Sequence, residues 1–349
     1  MVKRLKSKAV LVVVGFCLVA WSLPFTYDAR AGEKRATWRL GTTKEGGYSY
    51  TVGVALAKVI SNRCRTIYLE ALPSPGYAAN IRLLAQRAFE LGITQAAVLY
   101  RAYKGSPPFK EKPVAPLPYQ ICALFTGEMF VIGDAKLGMK SWNDLAGKRV
   151  FLGPRGSGSY LLARNFLKRA GVYEKIREVQ MGYKDAAAAC AEGQIDAIFA
   201  YTTCGTRSVP AWLRNVDFRW NFSYVAPTEA QQKACETIAG IYGKYVEPPR
   251  FSERNRKKMP SKMYVLVAST MLIARPDLDK DKVFELTKAL FEGSKEIAKI
   301  VPGFKQFDEE KFEMTRSAID SIKNVPIHAG AARYFKSVGM WNPEWRIGR

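Results

Sequence analysis

Twice along the chain a short apolar strand runs into a glycine-rich turn that opens a helix. The two segments are "TWRLGTTKEGGYSY" at 37–50 and "RVFLGPRGSGSY" at 149–160. The first backbone N–H groups of a helix have no internal partner, and the helix dipole places partial positive charge there. Such a turn therefore suits a carboxylate or phosphate, with glycines letting the guest approach the backbone. A plainer reading is that Ser157 or Ser159 only caps its helix. Two such turns on separate sheets would face one another across a cleft, because open α/β sheets bind ligands beyond the carboxyl ends of their strands.

The order of the remaining elements supports that layout. "RTIYLEALP" reads as a strand, "SPGYAANIRLLAQRAFELGIT" as a helix leading to another strand, and the alternation predicts a parallel α/β sheet. In the first predicted helix, Val52, Val54, Leu56, Val59 and Ile60 are assigned to one buried face. "PYQICALFTGEMFVIG" is a long apolar segment predicted as an extended strand. The middle of the chain repeats the alternation: "SWNDL" as a short helix, a strand, the helix after "GPRGSGSY", then "EVQMGY", "KDAAAACAEG" and "IDAIFAY" as strand, helix and buried strand. "YVEPPRFSERNRKKMPSKM" reads as a loop. "YVLVASTMLIAR" is another strand. "DLDKDKVFELTKALFEGSKEIAKI" is predicted as one helix, and "GAARYFKSVGMW" as a closing helix. Hydrophobic residues make up 48% of the chain, enough for a substantial core.

Residues 1–31 are set aside from the fold. Lys3, Arg4, Lys6 and Lys8 precede the apolar run Ala9 to Trp21, and Ala29-Arg30-Ala31 offers small residues for cleavage, the pattern of a secretory leader. An uncleaved anchor is the alternative. The expected location is the periplasm. Net charge is +23, yet the basic residues are scattered and "RNRKKM" has no aromatic platform beside it, so no nucleic-acid partner is expected. Cys64, Cys122, Cys190, Cys204 and Cys235 are dispersed, which suggests no zinc site and leaves their pairing open.

Catalytic signals are sparse. The single histidine, His328, follows a proline and begins a predicted helix, where capping or packing is the favoured role. There is no G-x-S-x-G elbow and no Walker loop. No metal, no cofactor and no enzymatic activity are expected.

These motifs resemble the TAXI-type solute-binding proteins of tripartite (TRAP) transporters over about residues 38–341. Gly41, Thr42, Gly46, Gly47 and Tyr50 match the family's opening glycine-rich segment. "YAANIRLLA" with Asn80, "LGITQAA" with Gln95, "SWNDLAGKRV", the set Gly153, Gly156, Ser157, Gly158 and Ser159, "EGQIDA", and "PIHAGAARYF" follow in order. The resemblance implies an α/β, two-lobed periplasmic-binding-protein (type II-like) fold, with two mixed sheets flanked by helices and a ligand cleft between lobes. Residues 36–123 plus 278–349 would form lobe I and 124–277 lobe II. It further implies a small organic anion or amino acid as ligand, delivered to TRAP membrane permease subunits. A periplasmic receptor for an ABC importer or sensor kinase, and an exported enzyme on the same scaffold, are the alternative readings.

The ligand-binding residues expected on this basis are Thr43, Glu45, Gly46, Gly47, Tyr48, Tyr50, Asn80, Gln95, Arg155, Ser157, Gly158, Ser159, Thr202 and Thr203. Several depart from the family pattern: Thr43-Lys44-Glu45, Ser49, Ala96-Ala97, Pro154-Arg155, Thr202-Thr203 and Gly205. The ligand is therefore not carried over. Arg155 is expected either to take a carboxylate in a bidentate fork or to sit at the rim. Glu45 is expected to meet a ligand amine, to pair with Arg155, or to sit at the rim.

Overall fold

The protein is described by a computed structural model covering residues 35–348 apart from Gly156. The predicted leader and that one glycine of the second turn lie outside the described residues. From the start, β1 (Ala36–Gly41), α1 (Tyr48–Arg63), β2 (Ile67–Leu72), α2 (Tyr77–Ala85) and β3 (Leu91–Gln95) follow the predicted alternation. α3 (Ala96–Tyr103) comes next, then the long strand β4 (Tyr119–Asp134). The middle holds β5 (Arg149–Phe151), α4 (Gly158–Arg169), β6 (Arg177–Val179), α5 (Ala186–Ala191) and β7 (Ala197–Thr203). α6 (Ala211–Arg219), β8 (Phe222–Val225), α7 (Glu229–Glu236), β9 (Ile241–Val246) and a short α8 (Glu253–Arg256) lead to the second long strand, β10 (Met263–Ala274). The chain closes with α9 (Lys280–Glu292), α10 (Ser294–Ile300), α11 (Lys305–Asp320) and α12 (Ala329–Ser337).

The two expected sheets are one continuous sheet of ten strands, in the order β2-β1-β3-β10-β4-β7-β5-β6, with β8 on β4 and β9 on β10. What joins them is the antiparallel pair β4 and β10. One end of β10 pairs with β3 and the other with β9. β4 pairs with β10 from Tyr119 to Met129; from Gly127 on its other edge holds β7, and β8 follows β10 along the first edge at Val131–Asp134. All of β10 is buried, as a strand covered on both faces must be. Register slips between Thr270 and Met271 and between Leu272 and Ile273 bend the pair just beyond its middle.

The hydrophobic core divides along the same line. One cluster gathers β1, β2, β3, the first part of β4 and the last part of β10 beneath α1, α9, α11 and α12. Beyond the middle of β4 the pleat splits the core in two. Met129 and Val131 face one cluster with Phe199 and Leu266, while Phe130 and Ile132 face another with Ile198 and Val265.

Two further sequence expectations change, and one left open is resolved. Val54 is 44% exposed, on the outer side of α1. The long helix predicted after residue 277 is broken at Gly293, where a Cβ would lie 2.7 Å from both the Ala289 carbonyl oxygen and Val59. All five cysteines among the described residues are free and buried. Among the described residues, no helix is long and apolar enough to cross a membrane.

His328 is the N-cap of α12: its Nδ1 accepts from the Gly330 amide at 3.2 Å. It is 2% exposed, and burial holds its imidazole down to about 4. In the unfolded chain the ring takes up its proton near pH 6.5. Between those values the unfolded state binds the extra proton, so stability falls as pH falls from 6.5 to 4. We expect this group to cost about 1 kcal/mol per pH unit in that window. Urea unfolding from pH 7 to pH 4.5 should show a shallower pH slope for His328→Asn, which keeps the cap without the titration. Equal slopes would contradict the assignment.

Candidate ligand site

The middle of β4 and β10 lines a cavity of about 290 Å³. The pleat aims Phe125, Gly127 and Met129 of β4, Ala268 and Thr270 of β10, and Tyr201 and Thr203 of β7 toward it. Tyr77 from the start of α2 and Gln95 from the end of β3 close it on the side of the first strands. Ser157 just before α4 and Gly158, Ser159 and Leu162 within it, with Tyr183, close it on the other. Gly127 is the floor: a Cβ there would meet nothing nearer than the Ala268 carbonyl at 3.8 Å.

The turn before α4 behaves as its composition suggests. Ser157 is the N-cap and accepts from the Tyr160 amide at 3.2 Å, so capping and cavity lining coincide in one residue. The amides of Gly158 and Ser159 lie in the first helical turn, where α-helical geometry provides no acceptor. Ser157 Oγ is 3.1 Å from Ser159 Oγ, and Ser159 Oγ is hydrogen-bonded to the Tyr183 hydroxyl. Gly153 has φ +102°, and a Cβ there would lie 3.0 Å from the Tyr183 hydroxyl. Only glycine accommodates both constraints. Tyr183 is stacked on Trp212 at 4.7 Å and meets Tyr201 edge-on at 6.1 Å, with Phe151 behind. This aromatic block fixes the wall.

The first glycine-rich turn stands one layer back. Gly47 caps α1 through its backbone alone. Tyr48 packs edge-on against Phe125 at 4.9 Å, and its hydroxyl is 3.0 Å from Cys204 Sγ. Burial pushes the Cys204 thiol up to about 12 and the Tyr48 phenol higher still, so both stay neutral. Ser49 is hydrogen-bonded to the Tyr77 hydroxyl at 3.0 Å. The α1 start thus braces two walls of the cavity.

Of the residues expected from sequence, Gln95, Ser157, Gly158, Ser159 and Thr203 line the cavity. Tyr48 supports it, and Thr43, Glu45, Gly46, Gly47 and Tyr50 do not line it; Glu45 and Gly46 are exposed. Arg155 has a side chain 72% exposed, and the carboxylate it meets is Glu178, at 3.5 Å, rather than Glu45. Thr202 points to the reverse face of β7, beside Glu128 in register. Asn80 is buried, and its amide donates to the carbonyls of Gly41, Thr42 and Ile93 at 3.1, 2.6 and 2.7 Å. It ties β1 to β3. Tyr77, Phe125, Tyr183, Tyr201 and Thr270 were not anticipated. The alternation of 125, 127 and 129 within the long predicted strand was the available signal for the floor.

On the reverse face, Glu128 is fully buried. It accepts from the Thr126 hydroxyl and from the amides of Gly205 and Thr206 at 3.0 and 3.2 Å. Cys204, Gly205 and Thr206 have φ of 57°, 66° and 69°, and the left-handed turn aims the Gly205 and Thr206 amides at this side chain as a small nest, while the Cys204 amide donates to the Thr126 carbonyl at 2.9 Å. Burial pushes the Glu128 carboxyl above its ordinary range, against the pull of Thr126, Lys244 and those amides. A larger depression of about 870 Å³ surrounds this loop. Some of its charges pair with one another, as in Arg207 with Glu309 and Glu310, and Lys244 with Glu310.

Asn80→Ala removes the two N–H donors that three main-chain carbonyls share. We expect it to cost about 2 kcal/mol in urea unfolding and to leave ligand affinity unchanged. A cost below about 0.5 kcal/mol, or a matching loss of affinity, would contradict its structural role.

The NMT1-like family profile matches residues 40–339. Among solved structures, a TctC solute binding protein from Polaromonas is 13% identical, with a TM-score of 0.51 over 87% of this chain and 98% of its own. The periplasmic aliphatic sulphonate binding protein SsuA from Escherichia coli is 13% identical, with a TM-score of 0.40 over 89% of this chain and 85% of its own. The probable amino-acid ABC transporter extracellular-binding protein ytmK from Bacillus subtilis is 15% identical, with a TM-score of 0.44 over 79% of this chain and all of its own, 100%. At such identities the likeness is one of fold, carried by the Polaromonas protein: the two-lobed α/β fold of periplasmic binding proteins.

Proposed function

The chain belongs to the NMT1-like family, and from that premise we propose that it is a periplasmic solute receptor, not an enzyme, that encloses a small organic acid. The observation that carries this reading is the origin of the cavity walls. Tyr77, Gln95 and Thr270 come from one side of the β4–β10 crossing, and Ser159, Tyr183 and Tyr201 from the other. A guest touching both sides favours the closed arrangement, because the open one cannot make both sets of contacts at once. Lobe I would comprise 36–123 plus 278–349 and lobe II 124–277, with β4 and β10 as the shared hinge strands. The start of α4 would receive the acid group through its amides and the Ser157 and Ser159 hydroxyls.

The ordered TAXI-like motifs, from Gly41-Thr42 through Gly153–Ser159 to "PIHAGAARYF", support delivery to TRAP membrane permease subunits. A basic leader followed by an apolar run supports export. Among the described residues, the polar side chains that line the cavity are hydroxyls and one carboxamide.

The test is a thermal-shift panel of monocarboxylates, dicarboxylates, keto acids and amino acids. A ligand at 100 times its dissociation constant should add about 2.7 kcal/mol. Gly127→Leu fills the cavity floor, where there is room for a Cβ. It should keep its unliganded melting temperature and lose the shift. No shift from any acid, or a shift that survives Gly127→Leu, would contradict the proposal.

A further inference from the structure

Among the described residues, no charged side chain lines the cavity. Its lining is apolar at Phe125, Met129, Leu162 and Ala268 and presents the rings of Tyr77, Tyr183 and Tyr201; Ser157, Ser159 and Tyr183 cluster their hydroxyls on the α4 side, and Gln95, Thr203 and Thr270 add neutral polar groups. Resting on the receptor reading above, we propose that the site selects acids with a single negative charge and an aromatic or similarly flat apolar body, and rejects α-amino acids and geminal dicarboxylates.

The argument is electrostatic and steric. Neutral donors can hold one anion: hydroxyl O–H groups and first-turn amides solvate a carboxylate or sulfonate without a counter-ion. The same helix end repels an ammonium, since its partial charge is positive. An amine enclosed here would meet no carboxylate. Glu128 is turned to the reverse face and fills the nest at Gly205 and Thr206. Glu178 accepts from the Tyr160 hydroxyl at 3.1 Å and the Tyr173 hydroxyl at 2.6 Å, outside the lining. Glu45 is exposed on the first turn. A second carboxylate beside the first would lack a cation, because Arg155 lies outside with Glu178. Enclosing a charge without a compensating partner is strongly unfavourable.

The body of the ligand is set by the walls. Tyr201 and Tyr183 are held edge to face and backed by Trp212, at 5.9 and 4.7 Å. Phe125 is fixed by Tyr48. These rings offer preformed faces that a flat ring can contact edge-on or offset, and a cavity of about 290 Å³ sits at the small end of ligand pockets.

Three probes separate these effects. 3-Phenylpropanoate, L-phenylalanine and benzylmalonate share a skeleton and differ only by hydrogen, ammonium or carboxylate at one carbon. Isothermal titration of the full mature protein should give at least tenfold tighter binding for 3-phenylpropanoate than for the other two. Tyr201→Leu should weaken 3-phenylpropanoate at least tenfold while retaining the circular dichroism and melting temperature of the parent. Equal or tighter binding of phenylalanine or benzylmalonate overturns the selectivity and leaves the receptor reading standing. So does binding of glutamate or succinate with no binding of 3-phenylpropanoate. Absence of binding by every one of these acids overturns both.

Discussion

Two antiparallel strands, β4 and β10, run through both halves of the molecule, and the remaining architecture follows from that sharing. Because their side chains alternate between faces, each strand must serve two environments at its middle. Phe125, Gly127 and Met129 open onto the cavity, while Thr126 and Glu128 between them face the reverse side. In the proposed closure, this shared strand pair would let the two sides move with no break in the hydrogen-bonded ladder. The register slips beside Thr270 fall next to the cavity floor, where they bend the strand and increase its local twist.

The reverse face shows what holds that crossing in place. A buried carboxylate is unfavourable unless it is hydrogen-bonded. Glu128 is satisfied by a left-handed loop, Cys204 to Thr206, whose Gly205 and Thr206 amides donate to it while the Cys204 amide donates to the Thr126 carbonyl. Gln306 of α11 donates to Thr126 Oγ1 at 2.5 Å and accepts from the Thr126 amide at 3.2 Å. Thus α11, the loop after β7 and β4 share one polar network directly behind the ligand cavity. Cys204 belongs to this loop and touches Tyr48, which in turn fixes Phe125. The first glycine-rich turn therefore acts on the cavity through packing, not by direct lining.

Much of the α/β order was legible because strands such as 119–134 and 263–274 are apolar almost throughout, as strands buried on both faces are. The turn at 153–159 was legible from composition alone. α3, α6, α7 and α11 were missed, as were β8, β9 and the short α8 inside the segment read as a loop. α7 and α11 carry mostly polar residues with only a narrow buried side, so local pattern gave them little contrast. The joining of two sheets into one was invisible, since pairing partners such as Met271 and Ala123 lie far apart in sequence. For the same reason Tyr77, Tyr183 and Tyr201 escaped notice: each is ordinary in its own segment, and only the tertiary fold gathers them. Asn80 shows the reverse error. A polar residue in a family motif suggested ligand contact, whereas its amide is spent on three main-chain carbonyls.

The most direct test of the account is a crystal structure with a bound organic acid. It predicts the acid group against the Gly158 and Ser159 amides, with the rest of the molecule over Gly127, touching Tyr201 on one side and Tyr77 or Thr270 on the other. A guest held by only one side of the β4–β10 crossing, or seated in the charged depression around Lys244 and Glu310, would contradict it.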